Sequence, residues 1–169
     1  MTALFMVAIL GVGLALAGEV WETLAKREKE AELLFIGEQY RQAIRRYYEG
    51  TPGGIKRYPR SLQDLLADPR HASTQRHLRK LYRDPLGGEE WGLVKAPDGG
   101  ISGVYSRSEQ APLKTGNFRL RDAGFASAKR YADWTFVYAP ASAVKIPSLS
   151  RPPDVRGGPS PTSPPARGS

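Results

Sequence analysis

The sequence predicts an α+β fold: one long N-terminal helix packed on a small antiparallel sheet, followed by a disordered C-terminal tail. Three observations lead there. No proline interrupts the chain before Pro52, and residues 19–49 are dominated by Glu, Ala, Leu, Lys, Arg and Gln, all good helix formers. Between Glu90 and Tyr138, three short runs rich in aromatic and β-branched residues are separated by glycine and proline. From Lys145 onward Pro, Ser and Gly dominate, and there is too little apolar area to offset the entropy of ordering the chain.

The first 18 residues, MTALFMVAILGVGLALAG, carry no charge. At about 1.5 Å per residue they span about 27 Å, close to the hydrocarbon thickness of a bilayer. A cleaved secretory signal would open on a basic segment, and none precedes the run, although Ala15-Leu16-Ala17 would serve as a cleavage signal. Residues 1–18 are therefore expected to be a retained transmembrane anchor. Ala3, Ala8, Gly11, Ala15 and Gly18 would let neighbouring helices approach closely.

The helix is expected to continue without a break through 19–49, giving about 48 residues and roughly 72 Å. Leu33, Ile36, Tyr40, Ala43, Ile44 and Tyr47 recur at spacings of mostly three and four and form one apolar stripe. Lys26 to Glu32 (KREKEAE) mixes both signs, as a solvated surface does. Gly50-Thr51-Pro52-Gly53-Gly54 stops the helix.

Short helices and loops are expected over 50–89. Ser61 can cap a helix whose third residue is Asp64, and Asp68-Pro69 ends it. A second helix is expected from Ser73 or Thr74 to about Tyr82. Lys56, Arg57, Arg60, Arg70, Arg76, Arg79, Lys80 and Arg83 face only Asp64 and Asp68 here, so this segment holds most of the net charge of +8. Such a patch suits phosphate or lipid headgroups; a solvated basic surface is the plainer reading.

The sheet is expected over 90–140. Glu90–Val94 and Ile101–Tyr105 flank Pro97-Asp98-Gly99-Gly100, a hairpin pattern. Asp133–Tyr138 is the third strand, and 106–131 is a long loop with short helices. Phe35, Tyr40 and Ile44 are expected to face a sheet carrying Trp91, Val104, Phe136 and Tyr138. The soluble domain then covers 19–144, and the disordered tail covers 145–169.

The composition also excludes chemistry. There is no cysteine, so disulfides, thiolate metal sites and thiol nucleophiles are absent. His71 and His77 lie among arginines and read as surface residues. Gly11-x-Gly13 lacks the third glycine and the preceding strand of a dinucleotide site. Glu89, Glu90, Asp98, Asp122 and Asp133 could supply oxygen ligands but have no regular calcium-loop spacing. No catalytic, cofactor-binding or metal-ligating residue is assigned, no cofactor is implied, and the chain reads as a non-enzyme.

Several strings together resemble the pseudopilins of type II secretion systems, within the type IV pilin-like superfamily. EAELLFIGEQYRQAIRRYYEGTPGG (Glu30 to Gly54) is similar to the second half of that family's long helix. YPRSLQDLL (Tyr58 to Leu66) resembles the step after it, LRKLYRDPLGGEEWGLV (Leu78 to Val94) the approach to the first strand, and DWTFVYAP (Asp133 to Pro140) the last strand. The basic leader ending in glycine, and the glutamate five residues into the mature helix, have no counterpart here. Either the true start lies upstream of Met1 or this is a leaderless variant.

The resemblance implies a pilin-like fold and a subunit, minor or initiating, of a pseudopilus-like filament assembled through the apolar helix. It implies an inner-membrane, single-pass placement with the globular part in the periplasm. The implied partners are other pseudopilin subunits, the inner-membrane assembly platform and membrane lipid. Two alternatives stay open: a DNA-binding minor pilin using segment 56–83, with Arg76, Arg79 and Lys80 as its contacts, and a lone membrane-anchored periplasmic protein.

Overall fold

The structure, a computed structural model, describes the backbone of residues 2–140 and the side chains of residues 21–140. The tail expected over 145–169 lies outside the described residues. Helix α1 runs without interruption over Thr2–Glu49, 48 residues, as the helix-forming composition requires. It stops at Gly50, whose N–H still reaches the Arg46 carbonyl at 2.9 Å. The Thr51 hydroxyl then donates to the Tyr48 carbonyl at 2.8 Å, covering one of the carbonyls left open at the helix end. Gly53 and Gly54 take φ of 83° and 84°, values open to glycine but costly for other residues, and turn the chain away.

The stripe of α1 is buried throughout: Leu33, Ile36, Tyr40, Ala43, Ile44 and Tyr47 are all at most 4% exposed. Each large apolar member contributes about 1.5–3 kcal/mol by leaving water. Phe35 does not share this face. It is 60% exposed, which corrects the expectation that it packs on the sheet. One residue along a helix is a turn of about 100°, so Ile36 takes the inward position and Phe35 is rotated out of it.

The sheet has three antiparallel strands in the order β1-β2-β3: β1 at Gly92–Lys95, β2 at Ile101–Tyr105 and β3 at Thr135–Val137. Leu93 pairs with Val104, and Val104 with Phe136 on its other side. The hairpin turn closes through Ala96 N–H to the Gly100 carbonyl at 2.8 Å, with Gly99 at φ 80°. Strand β1 begins two residues later than expected. Ahead of it the Trp91 indole N–H is drawn to the Tyr82 carbonyl, 3.0 Å away. Strand β3 is shorter than expected because Tyr131–Asp133 forms a single 3-10 turn, which Asp133 closes by accepting from the Arg130 backbone N–H at 3.1 Å.

The sheet and the aromatic residues beside it cover the helix stripe. Ile101, Val104, Phe136, Trp91 and Trp134 are all buried, while Tyr138 is only half-buried, at the rim. Gly37 admits the Phe136 ring so closely that any Cβ there would overlap it. The Tyr40 hydroxyl donates to the Tyr82 carbonyl at 3.0 Å and accepts from the Tyr82 N–H at 2.9 Å, tying the helix to the irregular segment. In the long loop, Leu120–Ser127 forms a 3-10 helix that stacks Phe125 on Trp134, with centroids 5.4 Å apart.

The segment between helix and sheet departs most from expectation. Ser61 and Asp64 do form the reciprocal capping bonds: Ser61 N–H donates to Asp64 Oδ2 at 3.2 Å and Asp64 N–H to Ser61 Oγ at 3.4 Å. They support only one 3-10 turn, Gln63–Leu65. The second helix, expected from Ser73 or Thr74 to Tyr82, does not form. The N–H groups of His77 and Leu78 both donate to the Leu65 carbonyl at 2.9 Å, so backbone donors that a helix would use are bound to the preceding turn instead.

The expected inner-membrane, single-pass placement is also corrected. Among the described residues, no helix is long and apolar enough to cross a membrane. Where the side chains of α1 are described, charge returns at close intervals, at Glu22, Lys26, Arg27, Glu28, Lys29, Glu30 and Glu32. The side chains of residues 1–18, where the anchor was expected, lie outside the described residues.

Candidate functional site

The cations of segment 56–83 divide into those used inside the fold and those left facing water. Arg70 turns inward. It donates to Asp68 from Nε at 2.8 Å and Nη2 at 2.6 Å, to Thr51 Oγ1 from Nη1 at 2.7 Å, and to the Tyr47 carbonyl at 2.8 Å. Its guanidinium lies 3.5 Å from the centre of the Tyr47 ring. Lys56 donates to the Glu49 carbonyl at 2.7 Å. Together Arg70 and Lys56 bring positive charge and donors to the open C-terminal carbonyls of α1. Arg83 pairs with Glu89 at 3.1 Å.

Asp68 organises the inward group. Its carboxylate is wholly buried and takes His77 Nε2 at 3.0 Å as well as Arg70, with His71 Nε2 at 3.7 Å. Burial by itself would raise this carboxyl; the hydrogen bonds from Arg70 and His77 outweigh it and hold the group well below the usual carboxylate range. The expectation that both histidines are surface residues is thereby corrected. His77 is 8% exposed, because Asp68 supplies the polar partner that a buried imidazole requires, and His71 is half-buried beside it.

Fixing His77 shapes what lies outside it. The His77 carbonyl accepts from Arg46 Nη2 at 2.9 Å. Gln39 and Arg46, two helical turns apart, thus share one face of α1 opposite Arg76 and Arg79. Between them lies a cleft of about 570 Å³, lined by Gln39, Arg46, Arg76, His77, Leu78, Arg79 and Tyr82. No carboxylate lines it. Among the described residues, neither Arg76 nor Arg79 makes an ion pair, whereas Arg70 and Arg83 do.

The other buried carboxylates are committed to internal donors. Glu30 accepts from Tyr131 Oη at 2.7 Å and from the backbone N–H groups of Leu113 and Lys114 at 2.8 and 3.1 Å. It is 5% exposed, so KREKEAE is not solvated throughout. Burial first, and the bond to Glu30 second, push the Tyr131 hydroxyl well above its ordinary range. Asp84 accepts from Ser106 Oγ at 2.7 Å and the Arg107 N–H at 3.0 Å; Asp122 accepts from Arg41 at 2.7 Å.

The acids considered as oxygen donors from sequence are spread apart by their own partners. Glu89 pairs with Arg83, Glu90 with Arg107, Asp122 with Arg41 and Asp133 with Arg130, while Asp98 accepts from the Gly100 N–H. Among the described residues no group of three or more His, Asp or Glu is placed to hold a metal ion.

A second candidate surface lies on α1 ahead of the packed body. Trp21 to Ala25 are exposed on every face, with Trp21 at 74% and Leu24 at 53%. Comparison with protein-family models, with curated proteins and with solved structures finds no match for this chain.

Proposed function

We propose that the protein is a structural subunit, minor or initiating, of a pseudopilus-like filament in a type II secretion or related type IV pilus-like system, and that copies associate through the N-terminal part of α1. The observation that carries this reading is the division of one unbroken helix into a stretch buried against the sheet and a stretch that, among the described residues, leaves the large apolar side chains Trp21 and Leu24 exposed. A helix gains most of its stability from packing an apolar face. Large apolar side chains such as Trp21 and Leu24 gain by being covered by a neighbour. A repeating contact between unlike surfaces grows a helical fibre rather than a closed ring. The pilin-like strings from Glu30 to Pro140 support the same reading.

The absence of cysteine makes the test direct, since any introduced thiol is unique. With Leu24→Cys, a bifunctional thiol cross-linker is expected to trap dimers of the full chain, and Trp21→Cys with Leu24→Cys together a ladder of higher species. Glu89→Cys, an exposed position just ahead of β1, should stay monomeric. Monomers alone at position 24 would remove the filament reading. Arg76 and Arg79 are the observation that favours the second reading, a nucleic-acid-binding subunit. Their concave setting, with Tyr82 and the His77 ring held by Asp68 as the aromatic rings in the lining, suits a compact anion better than a stacked strand.

A further inference from the structure

We propose that the cleft between α1 and the segment 76–82 is a binding site for a compact, multiply charged oxyanion of the phosphate class. The inference stands apart from the filament reading and rests on four features of the cleft. Three guanidinium groups, Arg46, Arg76 and Arg79, line one concavity of about 570 Å³, and no carboxylate lines it with them. Arg76 and Arg79 have no ion-pair partner among the described residues, although the same segment pairs Arg70 and Arg83 within a few residues. Like charges held together without a counter-charge repel one another, and an anion placed between them relieves that repulsion.

The third feature is that the cleft is braced. Arg46 is held to the His77 carbonyl at 2.9 Å. The His77 ring is held by Asp68, which Arg70 neutralises from the buried side. The Asp68 carboxylate is therefore already paired inside the fold. The fourth is the donor set. Guanidinium forks match the spacing of phosphate oxygens, and the Gln39 amide adds a neutral donor on the helix wall. Three cationic forks exceed what a monoanion needs, so the site favours a di- or trianion.

Isothermal titration of the full chain with inorganic pyrophosphate tests this, with single-stranded oligonucleotide and duplex DNA as parallel arms. Saturable pyrophosphate binding is expected, weakening as salt is raised. Arg76→Gln with Arg79→Gln should weaken it by about tenfold or more per guanidinium removed, the usual effect of losing a charge-assisted hydrogen bond. Lys129→Gln, an exposed cation on another element, should change nothing. Among the described residues neither arginine side chain makes a hydrogen bond or ion pair, so the double variant should melt with the parent, which shows that a lost signal is a lost site.

If DNA also binds and pyrophosphate competes it away, the phosphate group is the shared ligand and the site stands. No saturable pyrophosphate binding, or binding unchanged in the double variant, overturns it. Binding of DNA that pyrophosphate neither reproduces nor displaces also overturns it, in favour of a strand-tracking surface.

Discussion

Replacing Glu30 with alanine removes one acceptor from three donors, and the cost can be built from the geometry. The Tyr131 hydroxyl, 2.7 Å from Glu30 Oε2, belongs to a side chain that is fully buried, so no water replaces the lost acceptor. Stranding a buried polar group costs about 1–3 kcal/mol. The N–H groups of Leu113 and Lys114, at 2.8 and 3.1 Å, sit on a loop with partial access to water and recover part of their loss. The sum is about 3 kcal/mol, set against the roughly 5–15 kcal/mol that holds a typical domain together. Urea unfolding followed by tryptophan fluorescence reads it well, because Trp134 packs edge-on to Tyr131 with centroids 5.2 Å apart. Glu28→Ala, two residues away and exposed, should shift stability by no more than about 0.5 kcal/mol. Tyr131→Phe should cost about 1.5–3 kcal/mol, since the buried carboxylate loses the one side-chain donor it has among the described residues. The double variant Glu30→Ala with Tyr131→Phe should cost less than the sum, by about 1 kcal/mol or more, because each change removes the same bond. If Glu30→Ala unfolds at the same urea concentration as Glu28→Ala, the carboxylate is not a latch between α1 and the 113–131 loop, and the reasoning fails.

Asp68→Asn should destabilise the protein by about 3–5 kcal/mol at neutral pH by leaving Arg70 without its counter-charge. The Asp68 carboxyl is held below its unfolded value, so its contribution is full above about pH 3.9 and is lost as pH falls below that; wild type and variant should converge in urea midpoint under acid. Gly37→Ala would gain about 1 kcal/mol in an open helix, but here the new Cβ meets the Phe136 ring, so a net loss of about 1–3 kcal/mol is expected by calorimetry. Phe35→Ala should leave the melting curve within about 0.5 kcal/mol of wild type, whereas Ile44→Ala should cost about 2–5 kcal/mol.

The legible parts of this fold are those governed by near neighbours. The stripe from Leu33 to Tyr47 is visible because an apolar face must recur every three or four residues wherever a helix packs. The hairpin is visible because Gly99 sits where φ must be positive. Phe35 shows the limit of periodicity: it adjoins Ile36 in an apolar run, and spacing alone allows either to face inward. The helix expected over 73–82 was plausible locally. It lost to the Leu65 carbonyl, which takes the His77 and Leu78 N–H groups from a dozen residues away. Of the cleft, the excess of arginine was readable; which arginines remain unpaired was not. The Asp68-Pro69-Arg70 spacing was a usable signal for an inward pair, since an aspartate readily accepts from the backbone two residues on, and Arg70 N–H does donate to Asp68 Oδ1 at 3.0 Å.

By itself the amino-acid sequence determined the length of α1, where it stops, which of its faces is apolar, the order of the three strands along the chain and the surplus of positive charge. These follow from helix hydrogen bonds that span four residues, from side-chain alternation and from turn chemistry, none of which needs a distant partner. Only the tertiary structure decided which charges are buried. The donors to Glu30 come from 83 to 101 residues away, and Asp122 meets Arg41 across 81. A carboxylate is stable inside a protein only when its lone pairs are met, and whether they are met depends on where loops close, not on the residues beside it. The same closure turns Arg70 inward and leaves Arg76 and Arg79 on the wall of the cleft, so the surface that can act on another molecule is what remains after the interior has taken the charges it needs.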